Sequence, residues 1–257
     1  MSKVILVTGA VLSHFGHKCL HGFEQGANTG IGYELVRLLA QKGHRVYLSA
    51  RNETAGQEAA TKLRLENLDV KYVHLDVTDV ESIKAAKAAI EKDEGRLDVL
   101  VNNAAIAEYD KDQNATRVDV SVVRNSLEVN LIGLIQTTTT FLPLLRLSPQ
   151  AIILNVSSEL ASNTLQASAN PAPHFVAYST SKAAVNSYTI ALAYELKKDG
   201  IKVNAVTPGF TSTRMNNYHE HGKTPVQGAE SLLPWALLDK DGPTGQYFGQ
   251  MGQVLPW

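Results

Sequence analysis

Two hydrophobic patterns alternate along the chain. Short, nearly unbroken apolar runs at Val4–Val7, Arg45–Ala50, Val70–Leu75, Leu97–Val101, Ile152–Val156 and Lys202–Val206 have the length and composition of strands buried on both faces. Between them, apolar residues recur at helical spacing over Gly30–Lys42, about Thr54–Leu65, about Val80–Glu94, roughly Ser121–Leu142 and about Tyr178–Lys198. In the first of these, Ile31, Leu35, Leu38 and Leu39 share one face and Gly43 closes the helix. Tyr247-Phe248 predicts a short last strand. Such β-α alternation predicts an α/β fold: a doubly wound parallel sheet of about seven strands, built from right-handed crossovers with helices on both faces. No linker or repeat divides the chain, so the pattern predicts one domain over residues 1–257.

Composition narrows the partners. The net charge is −1 with no long basic or acidic run, which gives a nucleic acid or an anionic membrane no electrostatic hold. No apolar stretch approaches the roughly 18 residues that span a bilayer, and the first residues lack the layout of a signal peptide. The single cysteine, Cys19, excludes an internal disulfide, and a reducing cytoplasm is the expected compartment.

Candidate chemistry clusters where strands end. Tyr178 and Lys182 stand at i and i+4, on one helix face. A nearby ammonium favours a phenolate, so the pair predicts a tyrosine with a lowered pKa that exchanges protons near neutral pH. Tyr194 and Lys198 repeat the spacing, but sixteen residues at about 100° each turn them roughly 160° away. Small residues surround only the first pair, which leaves room for a ligand; the second reads as a solvated face. Ser158 ends the fifth strand run and Ser157 precedes it, at the edge where ligands of such sheets bind. Asn130 interrupts an apolar helical stretch, and its amide needs partners.

The first strand run leads into Thr8-Gly9-Ala10, and Asn28-Thr29-Gly30-Ile31-Gly32 opens the first helix. Joined, these two pieces form a glycine turn that brings backbone N–H groups against a pyrophosphate. The intervening Val11–Ala27 has no clean period. His14, His17, Cys19 and His21 match no zinc spacing, so no metal site is expected. The segment reads either as a surface loop or, because Gly9-Ala10 and Gly26-Ala27 are duplicates, as an unremoved intron. In both cases it is rooted where a pyrophosphate must lie.

The order of Thr8-Gly9-Ala10…Gly30-Ile31-Gly32, Leu75-Asp76-Val77, Asn102-Asn103-Ala104-Ala105, Asn130, Ser157-Ser158, Tyr178-Ser-Thr-Ser-Lys182 and Pro208-Gly209 resembles the short-chain dehydrogenase/reductase family. Leu97–Asn103, Ser49-Ala50-Arg51 and Gly242–Phe248 resemble its carbonyl reductases in particular. The resemblance implies a Rossmann-type fold and a hydride transfer between a nicotinamide and a carbonyl or secondary alcohol. It implies Ser158, Tyr178, Lys182 and Asn130 as the catalytic set, with Asn130 relaying through water to Lys182. It also implies that Gly9, Thr29, Gly30, Ile31 and Gly32 hold the diphosphate, Asp76 and Val77 the adenine, and Asn103 the adenosine ribose. Tyr178 and Lys182 face the nicotinamide side, and Pro208, Gly209, Phe210 and Thr213 follow the carboxamide and diphosphate.

Arg51 stands where an acidic residue would favour NAD. Its guanidinium suits a 2′-phosphate, so NADP is expected over NAD. Thr224-Pro225-Val226-Gln227 predicts a capped helix start and a helix to about Leu238, within a substrate lid over about 211–244. His219 and His221 upstream read as solvent-exposed rather than as metal ligands. Residues Asn163–Phe175 form an extra excursion beside the pocket, and the chain leaves open whether it is a monomer or a homo-oligomer. Two functions are expected to compete: an NADPH-dependent oxidoreductase acting on a small carbonyl or alcohol, and an impaired scaffold whose nucleotide site the 11–27 insert blocks.

Overall fold

The computed structural model describes residues 2–9 and 30–257; Val11–Ala27, the histidines and cysteine within it, and Thr29 lie outside the described residues. The strands are β1 Val4–Val7, β2 Arg45–Ala50, β3 Val70–His74, β4 Val99–Asn102, β5 Ile152–Val156, β6 Lys202–Val206 and β7 Tyr247–Phe248. The helices are α1 Ile31–Gln41, α2 Glu53–Leu65, α3 Val80–Glu94, α4 Val120–Leu127, α5 Gly133–Leu145, α6 Asn163–Gln166, α7 Val176–Leu196 and α8 Pro225–Ala236. All seven strands pair in parallel in the order β3-β2-β1-β4-β5-β6-β7. The order reverses direction between β1 and β4, the switch point at which such sheets open a crevice at their carboxyl ends.

The unbroken apolar runs follow from two cores. Successive side chains of a strand point to opposite faces. In β1, Ile5 and Val7 enter a core with Leu35 of α1, Leu63 of α2 and Leu232 of α8. Val4 and Leu6 enter the other, with Ile90 of α3, Phe141 of α5 and Leu192 of α7. With both faces covered, β1 has no position left for a polar alternation.

Side-chain caps start most helices where the sequence places a short polar residue. Asn52, Asp79, Asp119 and Thr224 accept N–H groups from the first turns of α2, α3, α4 and α8. Thr224 forms the expected capping box with Gln227.

Three expectations change. The helix read over Ser121–Leu142 is α4 and α5, joined by a π-helical turn over Glu128–Ile132 that holds Asn130. An extra residue in a helical turn has no signature in hydrophobic spacing, and such turns gather at functional sites. Helix α8 stops at Ala236, two residues before Leu238, beyond the internal Pro234. Its Ala229, Leu232 and Ala236 are fully buried in the first core, the third change, and of the stretch over about 211–244 it is the part before α8 that lines the cavity.

Asp98 anchors the amino-terminal edge. Its carboxylate accepts from the Val4 N–H at 2.8 Å, the Ser148 hydroxyl at 2.6 Å and Arg96 Nε at 3.0 Å. Burial pushes this carboxyl up, but the bonds from Ser148, Val4 and Arg96 outweigh it and hold the pKa below the ordinary aspartate value. Asp98→Ala should therefore cost about 2 kcal/mol near neutral pH, the range for hydrogen bonds to a charged group. A group with a depressed folded pKa stabilises above its unfolded pKa and loses that contribution as pH falls through the folded value. Urea unfolding of both proteins should show the gap at neutral pH and its narrowing in acid; a gap that stays constant into acid would show that the carboxylate charge is not what holds the edge.

Candidate active site

A cavity of about 720 Å³ opens at the carboxyl edge of β1, β4, β5 and β6. Gly9, Gly30, Ile31 and Gly32 wall one end. Ser158, Tyr178 and the segment Pro208–Thr213 meet at the other.

The glycine end is shaped by close approach. Gly9 has φ +57°, and a Cβ there would lie 2.7 Å from the Ala104 Cα, so only glycine fits between the turn and the segment after β4. Asn103 secures the same junction, donating from Nδ2 to the carbonyls of Thr8 at 3.0 Å and Gly9 at 3.2 Å. Its own N–H donates to the Thr8 hydroxyl. Gly30, with φ +146°, caps α1 without a side chain, and no described residue lies within 4 Å of where its Cβ would project. Gly30, Ile31 and Gly32 line the cavity, so the first turn of α1 and the positive end of its dipole border it.

At the other end, three of the four residues expected to be catalytic come from β5 and α7. Ser158 follows β5 and caps a short 3₁₀ turn, its hydroxyl accepting from the Leu160 N–H at 3.3 Å. Ser157, by contrast, is buried and donates to Asn186 Oδ1 at 2.7 Å. Tyr178 lies in the first turn of α7 and is 7% exposed. Lys182, one turn on, is buried, and its ammonium donates to the Val156 carbonyl at 2.8 Å. Tyr194 is 83% exposed, so the second tyrosine of that helix is the solvated one.

The expected lowering of the phenol pKa by Lys182 is corrected. Burial pushes the Tyr178 phenol up to about 12, and only its hydrogen bond with Ser158 pulls the other way. Burial also pushes the Lys182 ammonium down to about 8. In this enclosed site, loss of solvation is the largest influence on both groups.

Asn130 is fully buried in the π turn. Its Oδ1 accepts from the Ile106 N–H at 2.8 Å, and its Nδ2 donates to the Ile106 carbonyl at 2.9 Å and to Ser181 Oγ at 2.9 Å. It therefore ties the segment after β4 to α7, beside Tyr178 and Lys182.

The remaining predicted residues divide into two groups. Pro208, Gly209, Phe210 and Thr213 line the cavity with Asn103. Arg51, Asp76 and Val77 are outside its lining, just past the ends of β2 and β3 on the same sheet edge. The Asp76 carboxylate accepts from both the N–H and hydroxyl of Thr78 and shapes the turn into α3. His219 and His221 are exposed as expected, yet both line the cavity mouth, where the His219 ring lies 5.2 Å from that of Phe210. No cluster among the described residues could hold a metal ion. No helix among them is long and apolar enough to cross a membrane.

Two side chains at the site carry no motif of their own. The Tyr247 hydroxyl donates to the Ser158 carbonyl at 2.5 Å, although the sequence marks Tyr247 only as a strand residue. Gln113 is buried in the loop before α4, and its Oε1 accepts from the Tyr178 N–H at 3.2 Å. A single glutamine in an irregular segment gives no periodic signal.

The comparisons agree with this geometry. A family model described as short chain dehydrogenase matches residues 25–224. Salutaridine reductase of Papaver somniferum is 30% identical over 87% of this chain and 92% of its own length. A mouse (Mus musculus) protein named carbonyl reductase (NADPH) 1 is 32% identical over 90% of this chain and 96% of its own. The crystal structure of NADPH-bound carbonyl reductase from chicken fatty liver superposes with a TM-score of 0.82 at 26% identity, covering 100% of this chain and 99% of that one. The chain belongs to the short-chain dehydrogenase/reductase family, an oxidoreductase family that uses nicotinamide cofactors and includes carbonyl reductases.

Proposed function

We propose that the protein is an NADP(H)-dependent oxidoreductase interconverting a small carbonyl compound and its secondary alcohol, with Tyr178 as the acid/base. One observation carries this reading. The Ser158 hydroxyl and the buried Tyr178 meet in one cavity whose far wall is the glycine end of α1.

The residues fit a dinucleotide. The Gly9 turn tolerates no Cβ, no described residue lies within 4 Å of a Cβ at Gly30, and the first turn of α1 borders the cavity, an arrangement suited to a pyrophosphate. Gly9, Thr29, Gly30, Ile31 and Gly32 would hold it there. Asp76, Val77 and Asn103 would hold the adenosine, and Pro208, Gly209, Phe210 and Thr213 the nicotinamide half. Arg51, past the end of β2, would pair with a 2′-phosphate through charge-assisted bonds; two of the similar proteins carry NADPH in their names. The bound nicotinamide supplies or accepts the hydride.

The side chains manage the proton. With its pKa pushed up to about 12, Tyr178 keeps its phenolic proton at neutral pH and can donate it to the substrate oxygen during reduction. Ser158 donates to the same oxygen and stabilises the charge that develops there. Lys182, pushed down to about 8, still carries its charge at neutral pH. Its field favours the phenolate left after proton transfer, and its ammonium also serves the cofactor ribose. Asn130 holds Ile106 and Ser181 and completes the relay to Lys182. A cytoplasmic location accords with the single cysteine.

A second reading, a scaffold with an impaired nucleotide site, is favoured by the position of Gly9 and Gly30. Both line the cavity and flank the segment that contains Val11–Ala27. The two readings differ in what that segment does to NADPH.

Tyr178→Phe should lower carbonyl reduction by about 10²–10⁴-fold, the usual contribution of a positioned acid, while the NADPH dissociation constant stays nearly unchanged. Steady-state assays with a fluorescence titration check both, and full activity in this variant sinks the assignment.

Arg51→Ala should weaken NADPH by about tenfold and NADH far less, because only the former offers a phosphate to the guanidinium. Equal losses for both cofactors would remove Arg51 from the 2′-phosphate.

Deleting Val11–Ala27 should raise NADPH affinity and turnover against a panel of aldehydes and quinones, since the deletion rejoins Ala10 to Asn28. Unchanged affinity would show that the segment leaves the pyrophosphate position clear.

A further inference from the structure

We infer that Gln113 is a positioning residue for Tyr178: its carboxamide ties the loop behind β4 to the first turn of α7 and sets where the phenol meets the substrate. The inference rests on the reading of Tyr178 as the acid/base.

Helix α7 starts without a cap of its own. The residue at its N-cap is Phe175, which makes no side-chain cap bond, and the preceding Ala172-Pro173-His174 offers no short polar side chain close enough in sequence to supply one. The first N–H groups of a helix have no partner inside it. Gln113 supplies two from a distance. Its backbone carbonyl accepts from the Val176 N–H at 3.1 Å, and its Oε1 accepts from the Tyr178 N–H at 3.2 Å. The second bond falls on the backbone of the proposed acid/base itself.

The other half of the same carboxamide faces the loop. Nε2 donates to the Ala107 carbonyl at 2.6 Å and the Glu108 carbonyl at 3.0 Å. Glu108 is held at φ +48°, a left-handed conformation that a residue with a side chain adopts only under constraint. The next residue, Tyr109, has its ring 4.6 Å from that of Phe175 and 5.7 Å, edge-on, from that of Tyr178. Gln113 thus fixes Tyr178 twice, through its backbone N–H and through the ring packed beside it. Gln113 is 3% exposed, so water does not readily replace its bonds. Lys182 is secured separately, on Val156. Loosening Gln113 therefore moves the phenol and spares the lysine and the cofactor end, and small displacements of a reacting group cost large factors in rate.

The test uses the full chain with NADPH and a small aldehyde. Gln113→Met keeps the length and removes every side-chain hydrogen bond. Gln113→Glu keeps the acceptor for the Tyr178 N–H and loses the amide donors. In Gln113→Met, kcat should fall roughly tenfold or more with the NADPH dissociation constant within about twofold, and amide exchange at Tyr178 should speed up by roughly tenfold. In Gln113→Glu, that amide should stay protected and kcat should lie between wild type and Gln113→Met. Neither change should lower turnover further once Tyr178 is already Phe. Wild-type kcat in Gln113→Met, or an equal further drop in the Tyr178→Phe background, overturns the inference. If Gln113→Met does not fold, the exchange and kcat of Gln113→Glu decide alone, and unprotected Tyr178 exchange with wild-type kcat overturns it. Full activity of Tyr178→Phe is a separate outcome: it removes the acid/base reading, and with it the positioning role, whatever the exchange data show.

Discussion

The active end of the molecule depends on the register of α7 against β5, and a seam of buried polar bonds sets that register. Three consecutive residues of β5 and its exit meet three residues on one face of α7. Asn155 Nδ2 donates to Thr189 Oγ1 at 2.8 Å, the Val156 carbonyl accepts from Lys182 at 2.8 Å, and Ser157 donates to Asn186 at 2.7 Å. Hydrophobic contacts tolerate a helix sliding by a fraction of a turn, because one aliphatic group replaces another at little cost. Buried hydrogen bonds do not, since a slip leaves each group desolvated and unpaired. A shift of one residue would rotate Tyr178 by about 100° away from the cavity. The seam therefore translates strand geometry into the position of a phenol. It continues inward, because Asn102 of β4 donates to Asn155 at 2.8 Å and to Thr138 of α5 at 2.9 Å.

The segment after β4 joins this frame to the nucleotide end. On one side, Asn103 and Ala104 press on the Thr8-Gly9 turn, with the Gly9 position open only to glycine. On the other, Ile106 is gripped at both backbone groups by Asn130, and the carbonyls of Ala107 and Glu108 are held by Gln113. A π turn is what lets Asn130 do this. The extra residue lets a helix that packs its apolar side against α3 present one amide toward the loop and α7 together. Backbone that would otherwise be a flexible connection is thereby given a fixed place between the Gly9 turn and α7.

How much of this the sequence displays depends on the kind of interaction. Strands and helices were legible because two buried sheet faces demand unbroken apolar runs, as in Val4–Val7, and amphipathic helices demand a period, as in Ile31, Leu35 and Leu39. The Thr224 capping box was legible because its four residues are adjacent. Tyr178 could be chosen over Tyr194 from small neighbours, and burial agrees, at 7% against 83% exposed. The π turn, the reach of Gln113 to Tyr178 and that of Tyr247 to Ser158 were not legible. The π turn adds one residue that hydrophobic spacing does not register, and the other two join residues far apart in the chain, where a single polar side chain leaves no pattern. The packing of α8 was hidden for a related reason: capping signals place its start, but not the core that buries Ala229 and Leu232.

The corrected pKa directions bear on the direction of the chemistry. In water a phenol and an ammonium release their protons at nearly the same pH, about 10 and about 10.4. Burial separates them, pushing Tyr178 up to about 12 and Lys182 down to about 8. Both changes favour the neutral form, so as pH rises the lysine gives up its proton before the tyrosine does. A protonated phenol is the form that reduction of a carbonyl requires. Oxidation of an alcohol requires the phenolate, whose formation here needs a charged neighbour to offset the loss of solvation. In the proposed mechanism Lys182 would be that neighbour, held in place by the Val156 carbonyl. The Lys182–Val156 bond is thus one of the three that set the register of α7, and it also fixes the position of the ammonium one turn from Tyr178.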